Sequence, residues 1–206
     1  MKKILLLACF LLISCNVLSK NIIIEGKEYK PAPGTSGYMV HYPSINIDYA
    51  TLWGPFAAKE YSNGNFGLSK DMFELINSKV PTYPQAAYYL AEIHSNVGIF
   101  KDEKKAIDYY LKFVNNKSNK NVITTQMAYI RLSQLSQKVD DKLKYANKAK
   151  EIRETKTSLA NIYEINKDLY DKTKKEEYRK IMKQTQMKIS NFESPSYRKS
   201  VALDRE

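Results

Sequence analysis

Thr82 to Val114, TYPQAAYYLAEIHSNVGIFKDEKKAIDYYLKFV, is the stretch whose pattern decides the fold. Thr82 and Gln85 have the spacing of a capping box, and Pro84 sits where a missing N–H costs nothing, so a helix should begin there. From it, Ala86, Ala87, Leu90, Ala91 and His94 recur at helical steps and build one face. Asn96 and Gly98 interrupt the pattern, Asp102 can cap a new start, and Ala106, Ile107, Tyr110 and Val114 build a second face able to fold back on the first. The unit is a predicted helical hairpin.

The same punctuation recurs on both sides. Upstream, Trp53, Phe56, Ala57 and Tyr61 read as the inner face of a helix starting near Trp53, where Pro55 suits a first turn; as exposed rings they would instead form a recognition surface. NGNFG at 63–67 reads as a loop, and Ser69 with Asp71 starts a helix bearing Met72, Phe73, Leu75 and Ile76. Downstream, NNKSNKN is an exposed loop. Ile123, Met127 and Ile130 with Ala128, Leu132 and Leu135 then form a broad stripe, opposed by Val139, Leu143, Ala146 and Ala149. A last pair carries Leu159, Ile162, Tyr163, Asn166, Leu169 and Tyr170, then a Thr173–Glu176 capping box leading to Tyr178, Ile181, Met182 and Ile189. One hairpin cannot bury its own apolar face, whereas several stacked in register share a core.

Leu90, Ala91 and His94 stand where tetratricopeptide and Sel1-like repeats place a large residue, a small one and an aromatic, KKAIDYY covers the second helix of such a unit, and YANKAKEI resembles another second-helix ending. The chain resembles that family from Thr82 to Ile189. Anchored on Ala87, Ala128 and Ala160, the steps are 41 and 32 residues, scattered about the roughly 34 typical of these repeats. The resemblance implies an all-α right-handed stack of antiparallel helical hairpins, a solenoid that follows an irregular N-terminal segment. It also implies capture of a protein or peptide in a groove lined by the first helices of successive hairpins. Tyr88, Glu92, Tyr129 and Arg131, on the solvent side of those helices, are the expected groove residues.

The N-terminus supplies an address. Lys2 and Lys3 precede an apolar run from Ile4 to Ile13 that is too short for a membrane span but suits a secretory signal. Leu12, Ile13, Ser14 and Cys15 then resemble a bacterial lipobox. That resemblance implies lipid on Cys15 and cleavage before it, with the two or more acyl chains that stable anchoring requires. Ordinary signal cleavage after Ser19 is the alternative and would release a periplasmic or secreted protein. Asn16 is not the aspartate that retains many lipoproteins at the inner membrane, so the expected location is the outer membrane of the cell envelope. The chain thus divides into a signal at 1–14, a tether at 15–50, a helical repeat domain at 51–190 and a disordered tail at 191–206. Asn21 to Tyr29, with Ile22, Ile23 and Ile24 before Glu25 and Gly26, could form a short strand, whose one persuasive partner is Gly37 to Tyr42.

Cys9 and Cys15 are the only cysteines, so the fold has neither a disulfide nor a thiolate metal site to rely on. His41 and His94 are the only histidines, no Gly-rich loop precedes a lysine, and the acid pairs Asp140–Asp141 and Glu176–Glu177 sit at helix starts, where the dipole accounts for them. Neither an enzyme nor a cofactor or metal is expected; a catalytic site would have to lie in residues 20–66, which the repeats do not explain. Loss of Lys2 and Lys3 takes the formal charge from +11 to +9. In an exported protein such a charge points away from nucleic acid and towards anionic glycolipid or cell-wall polymer, the alternative to a peptide-binding scaffold.

Overall fold

The computed structural model describes residues 22–24, 27–29 and 49–192. The lipobox with Cys15, His41, the segment Gly37–Tyr42 and the tail from residue 193 lie outside them. Two short strands, β1 (Ile22–Ile24) and β2 (Lys27–Tyr29), pair antiparallel, Ile22 opposite Tyr29 and Ile24 opposite Lys27. The expected strand over Asn21–Tyr29 is thus two strands paired with each other; three branched apolar residues favour extended chain. Among the described residues, all the remaining regular structure is helical: α1 (Tyr49–Ser62), α2 (Phe66–Lys79), α3 (Pro84–Asn96), a 3₁₀ turn (Gly98–Phe100), α4 (Glu103–Val114), α5 (Val122–Leu135), α6 (Val139–Ile152), α7 (Lys156–Thr173) and α8 (Glu176–Phe192).

These elements form two compact units whose boundary falls between Lys101 and Asp102. The boundary lies inside the predicted central hairpin, so its two helices belong to different units.

In the first unit α1 packs on α2 and α3, and α2 on α3. Its core is Ala57, Met72, Phe73 and Ile76 with the α3 stripe Ala86, Leu90, Ala91 and Ile93. Three helix starts differ from those expected. Helix α1 begins at Tyr49, with Pro55 inside it. Gly54, just before the proline, is buried against Tyr83; a Cβ there would come within 2.5 Å of the Tyr83 hydroxyl oxygen, so a larger residue would have to push the Tyr83 ring aside. Helix α2 begins at Phe66 behind Asn65, three residues before the predicted start. Ser69 is therefore no cap: it is buried and its hydroxyl donates to the Ala57 carbonyl at 2.9 Å. Helix α3 has Tyr83, not Thr82, as N-cap, with Pro84 at N1 and no side-chain cap bond. His94 is buried and structural, its Nδ1 lying 2.8 Å from the Phe100 carbonyl oxygen and tying the 3₁₀ turn to α3.

In the second unit each helix packs on the next, and α5 also touches α7. Asp102 caps α4 as expected, its carboxylate accepting from the Lys105 amide at 3.0 Å. Ala106, Tyr110 and Phe113 bury the α4 face. Helix α5 buries Ala128, Ile130 and Leu132 but leaves Ile123 exposed, and Val139 at the start of α6 is partly exposed too, so both predicted stripes are shorter than the hydropathy suggests. Gln126 takes the vacated inner position. Its Nε2 donates to the Ala149 carbonyl at 3.0 Å and to that of Arg153, adding to the bonds these carbonyls receive from the Arg153 amide at 3.4 Å and from Ser158 Oγ at 3.2 Å. The capping box forms at Thr155–Ser158, at the start of α7, rather than at Thr173–Glu176. Thr173 instead closes α7, donating to the Leu169 carbonyl at 2.7 Å, and Lys174 ends the helix in the left-handed conformation at φ 57°. Helix α8 packs on α7 with Thr185 buried between flanking Tyr178, Met182 and Ile189; Ile181 is exposed.

Candidate ligand cleft

The short connections in the second unit make successive helices antiparallel, so α5 and α7 run the same way. Between them and the first turn of α6 lies a cleft of about 510 Å³. Helix α5 contributes Ile130, Ser133 and Gln134, with Gln137 just beyond it, a single stripe at helical spacing. The wall on α7 repeats the spacing through Thr157, Ala160, Asn161, Glu164, Ile165 and Asp168. The floor is closed by polar ties: Asn161 Nδ2 donates to Ser133 Oγ at 2.7 Å, and Ser133 Oγ donates to the Ile130 carbonyl at 2.7 Å. Short side chains at Ser133 and Ala160 leave the space open.

Above that floor the lining is mostly apolar, with Val139, Ile165 and Leu169, and the primary amides of Gln134 and Gln137 can both donate and accept. Charge is confined to one end. Lys142 and Lys172 flank Asp168, with Glu164 one turn earlier. Lys172 Nζ lies 2.8 Å from Asp168 Oδ2. That bond first, with the charges of Lys172, Lys142 and Lys167, lowers the Asp168 carboxyl below its ordinary range. An apolar trough with amide donors along it and fixed charge at one end suits non-covalent capture of a chain segment.

The expected groove residues fall elsewhere. Tyr129 neighbours this stripe and turns instead onto α6, stacking with Tyr145 at 6.2 Å, with Lys148 Nζ 5.4 Å from its ring centre. Partial burial raises the Tyr129 hydroxyl above its usual value, and Lys144 pulls the other way. Arg131 is two residues on, about 200° around the helix, where Nη1 donates to Gln134 Oε1 at 3.3 Å. In the first unit Tyr88 meets Tyr89 edge-on at 5.9 Å, and Tyr89 lies flat on Phe73 at 4.7 Å. Glu92 accepts from Asn96 Nδ2 at 2.9 Å. The sequence signal for the cleft was the small residues Ser133 and Ala160 facing across two same-direction helices. Ala160, one of the three residues on which the repeat steps were measured, is exposed and lines the cleft, whereas Ala87 and Ala128 are buried.

Comparison with protein-family models, with curated proteins and with solved structures found no match for this chain. Among the described residues no three His, Cys, Asp or Glu side chains are grouped to hold a metal ion, and no helix is long and apolar enough to cross a membrane.

Proposed function

We propose that this chain is an envelope lipoprotein, anchored in the outer membrane through lipid on Cys15, that holds a peptide segment of a partner protein in the α5–α7 cleft. It acts as a binding or assembly scaffold of tetratricopeptide or Sel1-like type and performs no chemistry itself. The observation that carries the binding role is the cleft: two same-direction helices hold an apolar trough open on short side chains, with amides placed for main-chain hydrogen bonds. The anchor rests on the lipobox resemblance at Leu12–Cys15 alone.

A photo-crosslinking residue at Ala160 should trap a defined partner in membranes, and Ala160→Trp, which fills the trough at an exposed position, should abolish trapping from Gln134. Equal trapping from a control site at Glu177 would sink the cleft assignment. The intact mass of the membrane-extracted protein, beside Cys15→Ser, tests the anchor separately.

A further inference from the structure

The second unit distributes its acids unevenly between its two ends, cations at one end being offset by first-turn acids, as in Lys175–Glu177 and Arg179–Glu176. Helices α4, α6 and α8 all start at one end and carry acids in their first turns: Glu103, the Asp140–Asp141 pair and the Glu176–Glu177 pair. Helices α5 and α7 start at the opposite end with no acid in the first turn, using the neutral caps Asn121 and Thr155. Two contacts fix which segments share that opposite end. Gln126 near the start of α5 reaches the Ala149 carbonyl near the end of α6. Lys188 near the end of α8 reaches Glu154, just before α7, at 2.8 Å.

This end gathers Lys117, Lys120, Arg153, Lys156 and Lys188, and one of its few carboxylates, Glu154, is already taken by Lys188. It also exposes large apolar side chains that nothing in the fold requires there. Val122 is 55% exposed, Ile123 63% and Met187 63%, three of the six exposed large hydrophobic residues in the described chain. Cations around protruding branched and flexible apolar tips match a surface that offers negative headgroups above hydrocarbon.

We infer that this end of the second unit docks on an anionic bilayer surface, with Val122 and Ile123 entering the headgroup boundary and the surrounding lysines facing lipid phosphates. The contact is independent of the cleft and of any lipid on Cys15. It would leave the opposite, acid-bearing end turned away from the membrane.

The test uses the full chain with Cys9→Ser and Cys15→Ser, carrying an environment-sensitive dye on Ile123→Cys or, at the opposite end, on Glu177→Cys. With equimolar phosphatidylglycerol–phosphatidylcholine vesicles, the dye at 123 should shift to the blue and become shielded from iodide, and the dye at 177 should stay accessible. Neither should respond to phosphatidylcholine alone. Replacing Lys117, Lys120 and Lys156 together by Gln should weaken the response at 123 roughly a hundredfold in lipid concentration, with unchanged far-ultraviolet circular dichroism. Because the dye reports locally, binding through residues 4–13 does not mimic the signal. An iodide-accessible dye at 123 on bound vesicles overturns the proposal, as does an equal response to neutral lipid. A shift produced by soluble polyphosphate, or by raising protein concentration without vesicles, would assign the patch to a polyanion or to a second copy of the chain instead.

Discussion

Asp168 shows how little sequence separation a local electrostatic effect needs. The Lys172 ammonium one turn on lowers its pKa, so its contribution to stability is complete above the ordinary aspartate value and is lost as pH falls through the lowered folded value. Both groups are well exposed, and salt should weaken the effect. Lys172→Gln should move the Asp168 midpoint, followed by carboxyl-carbon NMR, up towards the ordinary value; an unmoved midpoint would mean that the Lys172 bond is not the cause. The i, i+4 spacing made this pair readable without a structure. Tyr129 was not readable in that way, since its stacking partner Tyr145 lies across a turn on α6.

Among the elements, α6 depends on a side chain that hydropathy treats as out of place. Gln126 occupies the inner face of α5 and supplies donors to the last carbonyls of α6. Gln126→Met keeps the volume and removes the donors, leaving each carbonyl with one donor, the Arg153 amide and Ser158 Oγ respectively. We expect a loss of about 0.5–1.5 kcal/mol in urea unfolding. A change under about 0.5 kcal/mol would show that water replaces the side chain at little cost. Ile123 shares that face with Gln126, three residues on, and is exposed because it falls in the first turn of α5, ahead of the first buried position. Helix starts were legible where a cap acts through its own sequence neighbour, as at Asp102. They were misjudged where a polar residue serves another helix, as Ser69 does for Ala57.

At the scale of the whole molecule, substantial packing joins each helix to its chain neighbour within each unit, with next-but-one contacts at α1–α3 and α5–α7. Stability in such an arrangement is a sum of local interfaces. Ending the chain after Lys174 removes α8 and bares one side of α7. Hydrogen-exchange protection should then fall in α7 and stay near its original level in α1–α3. A uniform loss would show one cooperative block instead. By itself the sequence determined that the chain is helical, with most element boundaries near their turn residues, because helical periodicity and caps are properties of neighbours three and four apart. Tertiary structure alone decided that the boundary between units interrupts the central hairpin, that Ile22–Ile24 pairs with Lys27–Tyr29, and that the cleft opens over Ser133 and Ala160 rather than beside Tyr129 and Arg131. Those outcomes depend on which faces of distant segments meet, and periodicity within one segment carries no record of its partner.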